Sequence, residues 1–481
     1  MLGERIRSGK VLVVGMARSG LAAVRFLLDL GAKKVIANDH RGEAEVEREM
    51  GELAQNPRVE LVAGGHHSHM ISDDVSLIVK SPGVPPHLEI FTQARLHQIP
   101  VISEIELAYP FLKAPVIGIT GTNGKTTTTR MTAEIFQEGQ MGRVYTAGNI
   151  GKPLVEVAGE ATAGDVIVAE LSSFQLDDII SFRPFVAVLL NITADHLNYH
   201  GTRENYISAK GKILNNQGPA DVAIFNAADE DVVSMQKHTA ATCLYFTNEQ
   251  VSEKTDVNNI EKINERVNEQ TWEGFCVREG CLGLNRYGRF EVICREEELP
   301  IPGKHNRENA LAAAAAAWAG GVDLGTIGRA LKAFSGVEHR LEWVRKLAGV
   351  TFINDSKGTN PGASEKALES FPGQEIILIA GGMDKEADFH DLAFSIQKNG
   401  VRHLILLGET AAQIESTVKE FDFNNVQRVE TVEEAVHWAW EHSQNGDVVL
   451  FSPACASWDM FRDYEERGQL FKDIVNNLDV E

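Results

Sequence analysis

The chain has 481 residues, and its 43% hydrophobic and 24% charged residues are an ordinary balance for folded domains. A chain of this length is expected to form about three domains. The net charge of −22 argues against nucleic acid or an anionic membrane as a partner, because both attract basic surfaces. Residues 1–10 lack the apolar core of a signal peptide, and no apolar run reaches the length of a membrane span. These features indicate a cytoplasmic protein, and we separately expect a monomer.

The cysteines and a histidine-rich turn lack the spacing of a metal site. The five cysteines form an odd set without zinc-type pairs, which favours reduced thiols. His66, His67 and His69 crowd together after two glycines. Because they have no acidic or cysteine neighbours, they indicate a polar loop more than a metal centre.

Strand and helix patterns alternate in the first hundred residues. Residues 10–15, 35–39 and 77–80 are short apolar runs typical of buried strands, and residues 21–30 have the pattern of an amphipathic helix. This βαβ alternation predicts a parallel, doubly wound domain.

The first turn of this domain, Gly15–Gly20, resembles a dinucleotide-binding fingerprint with Ala17 in place of the central glycine. Asp39 ends the second predicted strand, where a ribose-binding carboxylate is expected. Taken alone, the turn suggests an NAD-dependent dehydrogenase, although the missing glycine weakens the match. A second phosphate loop follows about a hundred residues later. The first domain is therefore also a candidate to hold the nucleotide portion of a substrate.

That second loop is the strongest chemical signal in the chain. An apolar run at 116–119 predicts a buried strand, the turn Gly121–Gly124 follows, and a helix-compatible stretch begins at Lys125. Backbone N–H groups of such a loop converge on a phosphate, Lys125 neutralises its charge, and Thr126 can join a Mg²⁺ shell. The strict pattern requires glycine where Ile119 stands, so we interpret the segment as a variant phosphate loop for a nucleoside triphosphate.

Two further strands are predicted at 165–170 and 185–191, and each ends in polar residues. Glu170 closes the first, where a carboxylate could reach the metal of the phosphate loop. Asp195 and His196 follow the second, which favours a catalytic or metal role. Ligands of open α/β sheets bind at the carboxyl ends of strands.

The rest of the chain contains a polar stretch and a third alternating unit. Residues 247–270 predict surface hairpins or loops, and residues 310–319 an alanine-rich helix. Strands are predicted at 350–354, 376–380, 404–407 and 448–452. The polar clusters at 354–357 and 452–457 end two of them, and we expect closure of this unit over the substrate of the central one.

Together these patterns predict an α/β protein of three domains. The connection before residue 115 and the glycine at 336 place the domains at 1–112, 113–335 and 336–481. We expect a Rossmann-like first domain, a central P-loop-type ATPase domain and a Rossmann-like last domain.

A set of motifs in this order resembles the Mur ligase family over essentially the whole chain. They are Gly121–Thr126, Gly148–Gly151, Glu170–Gln175, Asp195-His196, Gly303–Asn306, His339-Arg340, Asn354–Lys357 and Ser452–Ser457. The runs D-S-K-x-T-N at 355–360 and S-P-A-C-A-S-x-D at 452–459 are most similar to the members that add D-glutamate.

The resemblance implies a reaction in cytoplasmic peptidoglycan precursor synthesis. ATP phosphorylates the carboxylate of UDP-N-acetylmuramoyl-L-alanine, and the amine of D-glutamate attacks the acyl phosphate. A tetrahedral intermediate then expels phosphate. Transfer between two anions requires charge neutralisation, which fits Lys125 and two Mg²⁺ ions.

By similarity, four residues carry the catalytic roles: Lys125, Glu170, His196 and Lys210. Thr126 and Glu170 serve one magnesium ion and His196 serves the other. Lys210 matches a lysine that is carbamylated in the family. An ammonium would repel Mg²⁺, whereas a carbamate is an anionic oxygen ligand.

The resemblance also assigns binding residues for each substrate. The ATP set is Gly121, Thr122, Asn123, Gly124, Lys125, Thr126, Thr127, Asn306, Arg340 and Asp355. The set for the UDP-linked substrate is Arg41, Ser81, Asn149 and Ser172. The D-glutamate set is Lys357, Thr359, Lys385, Ser457 and Tyr464. Two positions depart from a well-known member, since His40 replaces threonine and Tyr464 replaces phenylalanine.

Other functions remain open at this point. Another Mur-type ligase or a folylpolyglutamate-type ligase shares the ATP machinery. However, the Asp-Asn-Pro-Arg motif of the diaminopimelate-adding members is absent, and Asn123 stands where the L-alanine-adding members usually have histidine. An NAD-dependent dehydrogenase rests only on the imperfect turn at Gly15. A non-catalytic nucleotide-binding regulator would not need Glu170, His196 and Lys210 together.

Overall fold

The computed structural model describes residues 2–193, 197–250, 273–301, 303–384 and 387–479. The chain forms two compact units, one made of residues 1–299 with 305–334, the other of residues 300–304 with 335–481. The first unit contains two sheets and the second contains one. The expected boundary at 112/113 therefore lies inside the first unit, and the three-domain limits stay a prediction.

The first sheet has five parallel strands in the order β3-β2-β1-β4-β5, which confirms the doubly wound prediction. Its strands are β1 Lys10–Val14, β2 Lys34–Asn38, β3 Val59–Val62, β4 Val75–Lys80 and β5 Val101–Ser103. Its helices are α1 Leu2–Ser8, α2 Arg18–Asp29, α3 Glu43–Met50, α4 Glu89–Leu96 and α5 Glu104–Ala108. The two edge strands were not predicted from the sequence, because β3 is only partly buried and β5 has three residues.

The second sheet has nine strands in the order β14-β13-β12-β11-β10-β9-β6-β8-β7. The strands from β7 to β12 run parallel, and β12, β13 and β14 pair antiparallel. The strands are β6 Val116–Thr120, β7 Val144–Gly148, β8 Val166–Glu170, β9 Val186–Leu189, β10 Val222–Asn226, β11 Thr242–Gln250, β12 Gly274–Arg278, β13 Cys281–Arg286 and β14 Arg289–Arg295. The helices are α6 Lys125–Glu138, α7 Leu154–Glu160, α8 Ser173–Asp177, α9 Leu197–His200, α10 Arg203–Gly211, α11 Glu230–Ser234, α12 Lys304–Ala319 and α13 Leu324–Ala333.

The prediction of loops from residue 247 is wrong for its first four residues. They belong to β11, which pairs with β10 on one side and β12 on the other. Thr247 and Asn248 are buried there. Polar composition suggested a surface loop, but pairing with β12 continues through Thr247 to Gln250, and Asn248 Oδ1 accepts a hydrogen bond from Arg307 Nε at 3.1 Å. Residues 251–270 lie outside the described residues. The alanines of α12 from Ala310 to Ala317 are fully buried.

The third sheet has six strands in the order β15-β16-β20-β17-β18-β19, with β15 antiparallel to the rest. Its strands are β15 Glu342–Leu347, β16 Val350–Asn354, β17 Ile376–Ala380, β18 Val401–Leu406, β19 Val426–Arg428 and β20 Val448–Phe451. Its helices are α14 Pro361–Leu368, α15 His390–Lys398, α16 Ala411–Glu420, α17 Val432–His442 and α18 Tyr464–Asn476. The four strands expected here are confirmed. Among the helices of the described residues, none has the length and apolar composition needed to cross a membrane.

Candidate active site

The phosphate loop joins β6 to α6 at the carboxyl end of the central sheet. Every residue of β6 is buried, so the strand fixes the direction in which the loop leaves the sheet. Gly121 and Gly124 adopt φ angles of +153° and +83°, which residues with a side chain rarely adopt. A Cβ atom on Gly124 would lie 2.3 Å from the Asn309 Oδ1 atom. Glycine is therefore required here by both backbone angle and space.

Asn191, which follows β9, holds the first half of the loop. Its carbonyl oxygen accepts a hydrogen bond from the Thr122 N–H at 2.8 Å, and its side-chain oxygen accepts one from the Asn123 N–H at 2.8 Å. These two amides therefore bind the neighbouring strand end in this structure. No side chain of the described residues caps the N-terminus of α6 at Gly124, which is the end that the helix dipole makes attractive to phosphate.

Two lysines converge on one carbonyl of the loop. The Lys125 ammonium donates to the carbonyl oxygens of Gly121 at 2.9 Å and Thr122 at 2.7 Å. The Lys210 ammonium, on the almost fully buried side chain, also donates to the Gly121 oxygen at 2.7 Å. It lies 4.7 Å from the centre of the Tyr206 ring, and the Tyr206 hydroxyl is 3.0 Å from Thr122 Oγ1. The loop therefore brings the side-chain nitrogens of Lys125 and Lys210 to one carbonyl oxygen, in a protein whose net charge is strongly negative.

Glu170 lies beside this loop and has an oxygen that suits a metal ion. It is the last residue of β8 and pairs in register with Ile119 of β6. Its Oε1 atom accepts a hydrogen bond from Asn149 Nδ2 at 2.7 Å. Its Oε2 atom is buried, and no atom of the described residues forms a hydrogen bond with it. A buried carboxylate oxygen of this kind fits Mg²⁺, which prefers oxygen ligands.

Other predicted residues surround the same strand ends. Thr126 and Thr127 are buried in the first turn of α6. The Asn149 N–H donates to the Glu170 carbonyl oxygen at 2.9 Å. The Ser172 hydroxyl accepts from the Gln175 N–H and so caps α8. The structure therefore brings Asn149, Glu170, Ser172 and the phosphate loop to one edge of the sheet.

Asn306 is connected to α6, the helix after the phosphate loop, by the side chain of Asn309. The Asn309 side-chain amide donates to Asn306 Oδ1 at 3.4 Å, and Thr128 Oγ1 of α6 lies 3.3 Å from Asn309 Oδ1. The predicted residues His196 and Lys385 lie outside the described residues.

The predicted UDP-binding residues of the first sheet lie at the ends of β2 and β4. The Arg41 guanidinium donates to both oxygens of Asp39, at 3.0 and 3.1 Å, and also to Glu45 and Glu49. The Ser81 hydroxyl donates to the Gly15 carbonyl oxygen at 2.7 Å. Burial opposes the charge of Asp39, yet the bonds from Arg41 and from the Met16 N–H hold the pKa of that carboxyl well below its usual range.

The second unit brings its predicted residues together around Asp355. Ser452 Oγ donates to Asp355 Oδ2 at 2.6 Å, and the Leu341 N–H donates to Oδ1 at 3.2 Å. Complete burial raises the pKa of Asp355 to about 6, against the opposing effects of Ser452 and Arg340. The Lys357 ammonium lies 5.5 Å from the centre of the Tyr464 ring.

Two loops of this unit are joined by Arg467, a residue that no sequence motif indicated. Its guanidinium is 1% exposed and donates to Ser356 Oγ, to the Ser356 carbonyl and to the carbonyls of Cys455 and Ala456, at 2.8–3.2 Å. Lys357 and Ser457 are the next residues along each loop. Thr359 is partly buried on the first loop and Ser457 is buried on the second.

These residues define a nucleotide-binding α/β protein with a P-loop-type site and a neighbouring carboxylate suited to a metal ion. Matches to family models identify the family within this class. The Mur ligase MurD-like N-terminal domain matches residues 9–103, the Mur ligase middle domain matches 119–317, and the Mur ligase glutamate ligase domain matches 339–455. The chain belongs to the Mur ligase family.

Individual relatives cover nearly the whole chain. A UDP-N-acetylmuramoylalanine--D-glutamate ligase of Pelotomaculum thermopropionicum is 43% identical over 98% of this chain and 98% of its own length. A crystal structure of MurF from Acinetobacter baumannii matches with a TM-score of 0.60 at 17% identity, over 99% of this chain and 98% of that one. MurF ligase from Thermotoga maritima in complex with ADP matches with a TM-score of 0.56 at 18% identity, over 98% and 96%. The two structures show a shared three-domain α/β fold.

Proposed function

We propose that this protein is an ATP-dependent ligase that joins D-glutamate to UDP-N-acetylmuramoyl-L-alanine during cytoplasmic peptidoglycan precursor synthesis. The observation that carries the ATP half is the loop at Gly121–Gly124, with two lysines on one carbonyl and the Glu170 carboxylate one strand away. The full-length relative named for D-glutamate ligation supports the choice of substrates.

The first step transfers the terminal phosphoryl group of ATP. A carboxylate oxygen of the UDP-linked substrate forms a bond to the γ-phosphorus, the bond to the bridging oxygen breaks, and ADP leaves. Both reactants are anions, so the step depends on positive charge placed in advance. Lys125 supplies part of that charge at the loop.

The second step forms the amide. The uncharged amine of D-glutamate attacks the acyl carbon, and the tetrahedral intermediate collapses by breaking the bond to the phosphate oxygen. The nitrogen gives its proton to the departing phosphate, which keeps the electron pair of the broken C–O bond and leaves as inorganic phosphate. The acyl phosphate reacts with water as well, so the order of binding and the exclusion of water matter.

Mg²⁺ would be held by Thr126, Glu170, His196 and carbamylated Lys210, and it neutralises phosphate charge when bound. The open Oε2 atom of Glu170 supports this set. The position of Lys210 beside the loop is consistent with this set, because its buried side chain places Nζ 2.7 Å from the Gly121 carbonyl oxygen. We expect Glu170→Gln to raise the Mg²⁺ concentration needed for half-maximal ADP release, because an amide is a weaker ligand than a carboxylate.

We further propose that residues 1–112 bind the UDP portion through Arg41 and Ser81, that residues 113–335 bind ATP, and that residues 336–481 bind D-glutamate. Arg340 and Asp355 would contact the nucleotide. Lys357, Thr359, Lys385, Ser457 and Tyr464 would contact D-glutamate. The monomer remains our expectation for the assembly.

The dehydrogenase alternative is less well supported by the geometry of Asp39. One carboxylate oxygen accepts the Met16 N–H and an Arg41 nitrogen, and the other accepts the Arg41 backbone and side chain. A carboxylate committed to these internal bonds is a poor partner for the ribose of a dinucleotide.

One assay separates the candidate reactions. We expect ADP release from ATP with UDP-N-acetylmuramoyl-L-alanine to rise on addition of D-glutamate, and not with L-glutamate or L-alanine. Absence of ADP with the full substrate set would falsify the proposed function. ADP release with L-alanine in place of D-glutamate would indicate another ligase of the family.

Lys210 provides a local test of the metal site. We expect Lys210→Ala to lose activity and to regain part of it with acetate or formate, because a small carboxylate can replace the anionic ligand. Lys212→Ala, two residues along the chain, is the matched control and should keep activity without added acid. Failure of every short acid to restore Lys210→Ala would count against the carbamate.

A further inference from the structure

Lys80 is a buried lysine that joins the first sheet to the helices of the central sheet. It is the last residue of β4 and is 2% exposed. Its ammonium donates to the Tyr199 hydroxyl at 2.8 Å and lies 2.5 Å from Asp178 Oδ2. It also lies 5.7 Å from the ring centre of Phe91 and 5.4 Å from that of Tyr199. Both polar partners belong to the other sheet of the unit.

The environment of Lys80 keeps it charged. Burial disfavours the ammonium, but Asp178 and Tyr199 outweigh burial and raise the pKa of Lys80 above its usual value. A buried charge of this kind is costly to hold unless its partners are well placed. The Ser103 N–H of the first sheet also donates to the Asp178 carbonyl oxygen at 3.1 Å, so Asp178 is held at two points.

Lys80 and its partners on the central sheet are close in the chain to different parts of the proposed site. On the first sheet, Ser81 follows Lys80 directly and its hydroxyl bonds the Gly15 carbonyl. On the central sheet, Asp178 directly follows α8, and this helix begins at Ser173, three residues after Glu170. His200, next to Tyr199, lies 2.9 Å from the Ser173 hydroxyl at the start of the same helix.

We propose that Lys80 is a positioning residue that sets the distance between the UDP-binding strand end of the first sheet and the Glu170–Ser172 strand end of the central sheet. This inference rests on the proposed function. The substrate must reach from its diphosphate at one strand end to its reacting carboxylate at the other. A displacement of about 1 Å between reacting groups can lower a rate by roughly a hundredfold.

Lys80→Met removes the charge and keeps most of the volume. We expect kcat to fall by about 10- to 100-fold, while calorimetry shows little change in the affinity for the UDP-linked substrate. Lys80→Arg keeps the charge and should recover part of kcat. Lys212→Met is the matched control, because it breaks the adjacent Lys212–Asp177 pair inside the central domain. Its kcat should stay close to that of the unaltered enzyme.

Tyr199→Phe provides a milder test, since it removes one hydrogen bond to Lys80 and keeps the ring. We expect a smaller loss of kcat in the same direction and an unchanged thermal midpoint. The inference is overturned if folded Lys80→Met retains kcat, or if Lys80→Met lowers only the affinity for the UDP-linked substrate. If Lys80→Met does not fold, full kcat in Tyr199→Phe overturns it. The unaltered enzyme is assayed alongside with D-glutamate, so a failure of the proposed function is seen separately as absence of ADP release.

Discussion

The first and third sheets each contain a strand that ends in asparagine. Aspartate follows that asparagine directly, and a basic residue lies two positions after the aspartate. The segments are Asn38–Arg41 after β2 and Asn354–Lys357 after β16. In the first sheet the basic residue turns back and pairs with the aspartate in a two-bond contact. In the third sheet the lysine lies over the Tyr464 ring, and the aspartate bonds a serine hydroxyl and a backbone N–H.

This difference shifts the pKa values of the two carboxyl groups in opposite directions. The pKa of Asp39 is held well below its usual range by Arg41, whereas burial raises the pKa of Asp355 to about 6. The local sequence is the same in kind, so the direction taken by the basic side chain decides whether the aspartate gains a cation and which way its pKa shifts.

The neighbouring asparagines bind histidines in opposite ways. The Asn38 amide nitrogen donates to two carbonyls, so its oxygen faces His66 Nδ1 at 2.6 Å and that nitrogen must donate. The Asn354 oxygen accepts the Ser356 N–H, so its amide nitrogen faces His339 Nδ1 at 2.9 Å and that nitrogen must accept. The two imidazoles are therefore opposite tautomers.

Removing Arg41 should have the largest effect on stability. Arg41→Met leaves Asp39 buried and without its main cation, and we expect a loss of about 3 to 5 kcal/mol in the free energy of unfolding. Urea unfolding measures this. Arg329→Met, which breaks an exposed pair with Glu138, is the control and should cost about 1 kcal/mol or less. Equal losses in both variants would mean that Asp39 is stabilised without Arg41.

Removing Lys357 should affect catalysis and leave folding largely intact. Lys357→Met deletes a cation that we place in the D-glutamate site, and we expect kcat/KM for D-glutamate to fall by roughly 100- to 1000-fold. Steady-state kinetics with varied D-glutamate measures the effect. Lys366→Met, which breaks an exposed pair with Glu369, should have no effect. A Lys357→Met enzyme with normal kcat/KM would remove this residue from the site.

The two aspartates should give opposite pH dependences of stability. Asp39 has a lowered pKa when folded, so its contribution is present above about pH 4 and is lost as the pH falls further. Asp355 has a raised pKa when folded, so stability falls as the pH rises from about 4 to 6, by roughly 2 to 3 kcal/mol. Hydrogen exchange at several pH values, followed separately in the two units, measures both slopes. Asp355→Asn should abolish the decline between pH 4 and 6, and persistence of that decline would assign it to another group.

The smallest effect concerns the histidine tautomers. Nitrogen chemical shifts of labelled protein should show a proton on Nδ1 of His66 and on Nε2 of His339 at pH 8, where burial keeps both rings neutral by lowering their pKa values. Asn38→Asp should leave the His66 tautomer unchanged, because a carboxylate still accepts from Nδ1. Matching tautomers at the two positions would contradict the hydrogen-bond assignment.

Sequence patterns predicted the strands and turns whose structure is determined by residues next to one another in the chain. The strand of residues 116–119 and the glycine turn after it were predicted because burial and turn geometry constrain neighbouring residues. β11 was not recognised at residue 247, because its polar residues there pair with β12 and Asn248 binds Arg307, 59 residues away along the chain. Asn191 and Tyr206 contact the phosphate loop from 68 and 84 residues away along the chain, and such contacts leave no periodic signal.

The guanidinium of Arg467 ties the segments that precede Lys357 and Ser457 to the last helix, α18. These bonds exist only after residue 467 has been synthesised. During translation, domains fold from the N-terminus onward. The phosphate loop can thus form on a nascent chain in which Arg467 does not yet hold the two loops that we propose for D-glutamate. Under the proposed assignment, the residues that would bind D-glutamate are therefore among the last to be fixed in place.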